Sequence, residues 1–239
     1  MLNTFCLFIE INNTNFVFTV GEKSENSQFN IIYKKISSIQ GIRNSVITDF
    51  DLVLSIFKEN ILSIEQKFSF TFKEIILIVD NFNVSFINLT GFKKLNGSQI
   101  LKENVTYILN SLKSNISENE RKKNIIHIFN SKYFLDKKEI ENLPIGLFGD
   151  FYSHELSFCL MHNNDLNNLN NIFDKCNLKI KKKYLKNYLI GSYLNNVSEK
   201  YNTFFFIKIE KNNSQIFFFR NSSLIFEQNF NFGTDLVIK

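Results

Sequence analysis

The sequence predicts a mixed α/β fold built from a repeated unit, with a smaller α+β module inserted between the repeats. Residues 8–18 read FIEINNTNFVF and residues 205–219 read FFIKIEKNNSQIFFF. In each stretch two apolar runs flank a short polar break, which is typical of a β-hairpin. Both stretches also read Phe-Ile-charge-Ile followed by Asn-Asn-hydroxyl-amide, and this alignment matches Thr14 with Ser214. Between about residues 81 and 162, one helical segment lies among several strand-like segments, and this mixture indicates an insertion.

The segment before the insertion predicts a small sheet. Residues 5–20 are expected to form the first hairpin, and residues 29–37 a third strand. Residues 74–80 read EIILIVD, and this short continuous apolar run predicts a buried strand.

A helix is predicted between these strands. Residues 41–49, GIRNSVITD, read as a loop that leads into it, and Thr48 with Asp51 resembles a capping box. Apolar residues then recur at helical spacing. They are Val53, Phe57, Ile61, Ile64 and Phe68.

The inserted module is predicted to contain strands at 84–90 and 124–134, and a third after residue 150 that alternates from Tyr152. The helix between them is expected over residues 97–113, with Ser98 as its N-cap. Its apolar face would be formed by Leu101, Val105, Ile108, Leu109 and Leu112.

After the insertion, the pattern predicts a helix over 165–177, then a short strand and a helix over 178–194, and finally the second hairpin. The helix over 165–177 would place its apolar residues on one side. They are Leu166, Leu169, Ile172, Phe173 and Cys176.

Composition excludes several classes of protein. A 44% hydrophobic fraction with only 8 Gly and 1 Pro is that of a globular chain, not a disordered one. The net charge of +5 includes basic clusters at 121–123 and 181–183, but no aromatic residues alternate with them. We therefore interpret them as a solvated surface and expect no nucleic-acid partner.

The other compositional signals favour a cytoplasmic protein without a metal centre. Cys6, Cys159 and Cys176 lie in apolar contexts, which indicates inert thiols in a reducing compartment. The three histidines share no metal-ligand spacing. No apolar run is long enough for a membrane span, and the N-terminal stretch MLNTFCLFIE lacks the basic start of a signal peptide.

The order of elements resembles the actin-like, ribonuclease H-like ATPase superfamily. Its members are built from two βββαβα halves, each opening with a hairpin. In that fold the hairpin tips present backbone N–H groups to phosphates from opposite sides of a cleft. Glycine at the tips lets the backbone approach the phosphate oxygens closely.

Within this superfamily the chain resembles the FtsA family of bacterial cell-division proteins along its whole length. The most specific match is HIFNSKYFLDKKEIENLPIGLFG. It agrees with the family at His127, Tyr133, Asp136, Pro144, Gly146 and Gly149. GIRNSVITD, with Ser45 at a family glycine, and NLNNIFDKCNL also match the family in order and spacing.

The resemblance implies the N-terminal half of an actin-like fold with an SHS2-type insertion. Subdomain 1A would comprise residues 1–80 and 163–200, and the inserted subdomain 1C would comprise residues 81–162. Residues 201–239 would be the start of an incomplete subdomain 2A. The rest of 2A, subdomain 2B, the adenosine-contacting motif and the C-terminal amphipathic membrane helix of the family are not expected in these 239 residues.

The resemblance also implies where phosphates would bind. The family positions in the first hairpin are Glu10, Asn12, Asn13, Thr14 and Asn15. Those in the second hairpin are Lys208, Asn212, Asn213, Ser214 and Gln215. FtsA-type proteins bind ATP and Mg²⁺ there, and acidic residues orient the metal shell and the attacking water.

The chain departs from the family at these positions. Asn12 replaces a glycine, Lys208 replaces the second acid, and Gln215 replaces the closing aspartate. Three interpretations stay open: weakened loops that still bind nucleotide, loops that keep only the hairpin, and a turn in a protein outside the superfamily. We favour the second, and we expect no catalytic residue, no metal ligand and at most weak ATP binding.

The function that the resemblance implies is a divisome scaffold. FtsA-type proteins form actin-like filaments at the cytoplasmic face of the inner membrane, link the FtsZ ring to that membrane at the septum, and recruit later division proteins. The alternatives are an actin-like pilus-assembly ATPase and another nucleotide-binding member, such as a sugar or acetate kinase. A kinase would need acids and glycines at both hairpins, which this sequence lacks.

Overall fold

A computed structural model describes residues 5–24, 29–43, 46–80, 82–197 and 201–236. Contacts divide the chain into two compact units. The first comprises Met1–Val84 and Met161–Lys186, and the second comprises Ser85–Leu160 and Asn187–Lys239. The subdomain boundaries expected from the family resemblance remain predictions.

The first unit is built on a five-stranded sheet in the order β11-β6-β1-β2-β3. Strand β1 pairs antiparallel with β2 and parallel with β6, and β6 pairs parallel with β11. The predicted hairpin, third strand and buried strand are therefore confirmed. The strands are β1 (Phe5–Ile11), β2 (Asn15–Lys23), β3 (Phe29–Ser38), β6 (Glu74–Val79) and β11 (Lys179–Leu185).

Helix α1 (Phe50–Phe68) connects β3 to β6, but its cap differs from the prediction. The side chain of Asp49 accepts a hydrogen bond from the backbone N–H of Leu52, so Asp49 is the N-cap. The hydroxyl of Thr48 instead donates to the carbonyl of Gly41. Before the helix, β4 (Ile42–Arg43) and β5 (Val46–Ile47) form a two-stranded ribbon, and Ser45 lies outside the described residues.

Helix α1 covers one face of this sheet. Its buried Phe57 packs against Phe16 and Phe18 of β2, with ring centroids 4.9 and 5.6 Å apart. Phe173 of helix α3 (Asn163–Lys175) adds a third ring, 5.2 Å from Phe57. The helical periodicities predicted for both helices are confirmed, because their apolar stripes form this core.

The second unit contains a four-stranded sheet in the order β7-β10-β8-β9 and helix α2 (Lys102–Asn119). The strands are β7 (Val84–Lys94), β8 (Lys123–Leu135), β9 (Lys138–Ile140) and β10 (Phe151–His162). Helix α2 begins later than predicted. The side chain of Ser98 donates to the carbonyl of Leu95, while Asn104 accepts from the N–H of Leu101 at the helix start.

Two of the residues that match the FtsA pattern, Asp136 and Gly149, hold the segment between β8 and β10 in place. Asp136 accepts hydrogen bonds from the N–H groups of Asp150 and Phe151, at 2.9 and 2.8 Å. Gly149 lies so close to Leu135 that a Cβ atom would come within 2.3 Å of its side chain. Both positions are therefore explained by packing and backbone hydrogen bonding.

The second unit also contains a three-stranded sheet and helix α4 (Lys186–Val197). The first residue of this helix, Lys186, belongs to the first unit. The strands β12 (Thr203–Ile209), β13 (Ser214–Arg220) and β14 (Ser223–Phe230) form an antiparallel meander. The second hairpin is thus confirmed, whereas β14 was not predicted. Phe219 packs closely on Gly191 of α4. A Cβ atom at Gly191 would lie only 2.0 Å from the Phe219 ring.

Candidate nucleotide site

The tip of the first hairpin is closed by the side chain of Asn12. Its Oδ1 accepts hydrogen bonds from the backbone N–H groups of Thr14 and Asn15, at 3.0 and 2.8 Å, and from the Thr14 hydroxyl. These are the N–H groups that a phosphate loop would offer to a ligand. The residue at the glycine position therefore takes up the donors that glycine would leave open.

The backbone of this tip is unstrained. The described residues with positive φ do not include any of residues 12–15, so Asn12 needs no left-handed conformation. The carbonyl of Thr14 also accepts from the N–H of Ile39, which ties the tip to the end of β3. Asn13 and Thr14 are exposed at the apex.

Three charged residues meet at the carboxyl ends of three parallel strands. Glu10 is near the end of β1, Asp80 directly follows β6, and Lys186 directly follows β11. The Lys186 Nζ lies 2.7 Å from Glu10 Oε1 and 3.6 Å from Asp80 Oδ2. Ligands of open α/β sheets bind at this edge, so this is the strongest candidate site in the first unit.

Hydrogen bonding keeps the site ionised. Burial raises the pKa of Glu10, but hydrogen bonds from Asn12 and Lys186 outweigh it and hold that pKa below its ordinary value. Burial lowers the pKa of Lys186, yet its bond with Glu10 leaves it above the ordinary value. The pair is therefore a carboxylate and an ammonium at neutral pH.

The residues present do not fit a magnesium ion at this position. Glu10 and Asp80 supply carboxylate oxygens, which suit Mg²⁺, but the Lys186 ammonium lies between them. Within the described part of the chain, no group of three or more His, Cys, Asp or Glu side chains could hold a metal ion. The internal cation takes the place that a metal bound by both carboxylates would need.

The second tip has the same length as the first. Ile11 pairs with Phe16 and Ile209 with Ser214, so each pair encloses four residues. The N–H of Glu210 donates to the Asn213 carbonyl at 2.9 Å, as Asn12 does to Asn15 at 3.1 Å. Thr14 therefore corresponds to Asn212, and the expected match between Thr14 and Ser214 is wrong by two residues.

The chain's own segment after β14 covers the second tip. The N–H groups of Thr234 and Asp235 donate to the carbonyls of Glu210 and Lys211, both at 3.0 Å. A Cβ atom at Gly233 would lie 2.0 Å from the Glu210 carbonyl oxygen. This face of the tip is thus filled by backbone.

Three of the predicted residues of the second hairpin make polar contacts with other groups of the chain. The Lys208 ammonium lies 2.8 Å from Glu210 Oε1, Ser214 donates to the Phe232 carbonyl, and Gln215 donates to Asn229. Ser214 and Gln215 are buried, Asn213 is half-buried and Asn212 is exposed. Of the predicted residues, the structure brings Glu10 and Asn12–Asn15 together at one tip and Lys208 and Asn212–Gln215 at the other.

Sequence reasoning missed Asp80 and Lys186 as site residues. Asp80 ends the apolar run EIILIVD, and this position at the end of a buried strand is a usable signal. Lys186 is one of several lysines in KIKKKYLKN, and nothing in the sequence separates it from its neighbours.

Comparisons with known proteins support the predicted resemblance. No protein-family model matches the sequence. The chain is 26% identical over 172 residues to the cell division protein FtsA of Buchnera aphidicola subsp. Schizaphis graminum (strain Sg), covering 72% of this chain and 41% of that protein. It is 25% identical over 172 residues to FtsA of Buchnera aphidicola subsp. Baizongia pistaciae (strain Bp), covering 72% of this chain and 40% of that protein. The matched part is about two fifths of each relative, so the similarity concerns that part alone.

Among solved structures, the chain is similar to one in the PilM-PilN type IV pilus biogenesis complex. The TM-score is 0.60 at 8% identity, over 96% of this chain and 62% of that one. This likeness concerns the fold. The predicted α/β, actin-like fold is confirmed, and the predicted resemblance to FtsA is confirmed by the two curated relatives.

Proposed function

From this similarity to FtsA, we propose that the chain is a cell-division scaffold of the FtsA type that works without ATP turnover. The similarity to two FtsA sequences over 172 residues is the observation that carries the proposal. As a scaffold, it would associate with further copies, with the FtsZ ring and with later division proteins. It would act at the cytoplasmic face of the inner membrane.

The geometry of the first tip supports the absence of turnover. Hydrolysis in actin-like ATPases needs a phosphate held by backbone N–H groups and a metal ion held by acids. Here Asn12 takes the N–H groups of Thr14 and Asn15, and Lys186 neutralises Glu10. An interaction surface needs neither feature, so a scaffold role survives their loss.

Peripheral association with the membrane is part of the proposed role. Among the described residues, no helix combines the length and apolar character needed to cross a membrane. The resemblance to FtsA implies that this attachment would be made by an amphipathic helix. A pilus-assembly role draws only on the shared fold, and no residue of the site favours it.

Co-sedimentation tests this function. Purified chain is mixed with FtsZ filaments, with and without ATP and Mg²⁺, and the pelleted fraction is measured. We expect the chain to pellet with the FtsZ filaments to the same extent in both conditions. Failure to pellet under any condition contradicts the scaffold role, and pelleting only with ATP contradicts nucleotide independence.

A further inference from the structure

Strand β8 is paired along only part of its outer side. In the sheet order β7-β10-β8-β9, β10 lies on one side of it and β9 on the other. The short β9 pairs only with residues 133–135 of β8. Next to that pairing, the Ser223 hydroxyl donates to the Asn130 carbonyl. Within the described part of the chain, residues 123–129 therefore have no strand partner on the outer side of β8.

A groove lies between this open edge and the C-terminal half of helix α2. Its volume of about 380 Å³ is within the range of ligand-binding pockets. The floor is apolar, because Ile125 and Ile128 of β8 pack against the buried Ile116 of α2. The exposed Ser117 also lines the groove.

The end of the groove at the start of β8 is positively charged. Lys113 and Lys123 line it, and residues 121–123 are all basic. The acids of this region are Glu118 and Glu120, and Glu120 lies 3.0 Å from the ammonium of Lys123. Four basic side chains thus accompany two acidic ones, and this excess favours an anionic ligand.

The edge, the floor and the charge each select part of that ligand. An open strand edge offers N–H and C=O groups that an extended peptide can satisfy by adding a strand. Alternate side chains of a strand point the same way, so every second residue of the peptide would contact the isoleucines of the floor. A carboxylate of the same peptide would pair with Lys113 or Lys123.

We propose that the groove between α2 and the open edge of β8 binds an extended acidic peptide, which adds a strand to this sheet. The open stretch has the length of a heptapeptide, about 20 Å. The inference rests on strand pairing, packing and charge within the second unit, and it does not depend on the proposed division role.

A second copy of the chain is a poorer occupant than an acidic peptide. Paired β8 edges would add the partner's own basic stretch, residues 121–123, to a region that is already positive. Strand β7, at the opposite edge of the same sheet, carries Lys93 and Lys94 and no acidic residue. Neither edge supplies the carboxylates that the groove favours.

Selection from random heptapeptides tests the proposal. Peptides displayed on phage are selected against the chain at low salt, where charge attraction is least screened. We expect the enriched sequences to alternate apolar residues with Asp or Glu. A synthetic peptide of the most enriched sequence should slow amide hydrogen exchange in residues 124–128 at least tenfold. Enrichment of no sequence, enrichment of sequences without acids, or protection confined to other strands overturns the proposal.

Two tryptophan substitutions on α2 separate the groove from the rest of the helix. Ser117→Trp should abolish binding of the selected peptide, because Ser117 lines the groove. Ser114→Trp changes another exposed serine of the same helix that does not line the groove, so this variant should retain binding. Far-ultraviolet circular dichroism checks that both variants fold, and equal binding by the two overturns the proposal.

A pair of charge reversals tests the role of the lysines. Lys113→Glu should weaken peptide binding at least tenfold, whereas Lys94→Glu, on the opposite edge strand, should leave it within twofold. Equal weakening by both variants means general charge attraction and overturns the assignment to this groove. Displacement of the peptide by a single-stranded oligonucleotide that binds more tightly overturns it in favour of a nucleic-acid ligand.

Discussion

Lys186 and Glu10 are 176 positions apart in the chain, yet their charged atoms lie 2.7 Å apart at the carboxyl edge of the first sheet. The contact joins the end of β1 to the residue after β11, across the intervening strand β6. Replacing Lys186 by Met should destabilise the protein by about 1–3 kcal/mol, because a half-buried carboxylate loses its partner. Urea denaturation at pH 7 measures this change.

The matched control is Lys181→Met, which removes an exposed pair with Glu74 at the same 2.7 Å. A pair surrounded by water contributes little, so this variant should change the midpoint far less. Equal effects of the two substitutions would show that the Lys186–Glu10 pair has no special energetic weight.

The same pair predicts a pH window. The Glu10 pKa is lowered in the folded state, so its stabilisation is complete above the ordinary glutamate value and is lost as the pH falls through the folded value. The Lys186 pKa is raised, so its stabilisation is complete below the ordinary lysine value and is lost as the pH rises through the folded value. Lys186→Met should therefore flatten both limbs of the stability profile, and a profile parallel to that of the parent protein would contradict the assignment.

Removing the internal cation should expose a binding site for a metal ion. In Lys186→Ala, Glu10 and Asp80 present carboxylates at neighbouring strand ends with no ammonium between them. We expect millimolar MnCl₂ to raise the melting temperature of this variant and to leave the parent protein unchanged. The double variant Lys186→Ala, Glu10→Gln is the control, since it should lose the response.

The cap formed by Asn12 should be measurable at the first tip. Asn12→Gly removes the acceptor for the Thr14 and Asn15 amides, so their hydrogen exchange should become faster and stability should fall by about 1 kcal/mol. Asn13→Gly, at the exposed apex, controls for the added backbone freedom of glycine. If both variants exchange alike, the side-chain cap is not what closes the tip.

His154 should make the second unit sensitive to mild acid. It is a buried residue of β10, its Nε2 lies 3.2 Å from Oδ1 of Asn130 on β8, and burial lowers its pKa to about 4. Stability is then complete above the ordinary histidine value of 6.5 and declines as the pH falls toward 4. Between pH 7 and pH 5 this amounts to about 2 kcal/mol.

His154→Gln keeps a hydrogen-bonding side chain without a titrating ring. Between pH 7 and pH 5 this variant should lose less stability than the parent protein. The difference should be most of the about 2 kcal/mol expected from His154. Because the comparison is made within each variant, any general destabilisation cancels. An unchanged loss would show that His154 does not control the acid limb.

Periodicity predicted most elements because burial decides them. The stripe Val53, Phe57, Ile61 and the run 74–80 are read directly from apolar spacing, and both lie where that spacing requires. Helix starts were predicted less well. Ser98 and Thr48 are acceptable caps in isolation, but their hydroxyls donate to the carbonyls of Leu95 and Gly41 instead.

The candidate site was only half visible in the sequence. Glu10 and Asn12 lie in a recognisable hairpin, whereas the partner of Glu10 comes from a lysine-rich stretch far along the chain. Parallel pairing of β1, β6 and β11 brings them together, and local patterns do not encode strand order. The turn alignment failed for a related reason, because letter similarity placed Thr14 against Ser214 while strand register placed it against Asn212.

The contacts that Asn12 and Lys186 make at the first tip bear on how the stability of the protein depends on ligand concentration. A protein that binds a ligand present at 100 times its dissociation constant gains about 2.7 kcal/mol of stability by mass action, and it loses that gain when the ligand is depleted. Here the tip amides and the carboxylate are satisfied by groups of the same polypeptide. Under the proposed function, in which this tip binds no nucleotide, the first unit should therefore keep the same free energy of unfolding whether cellular ATP is high or low.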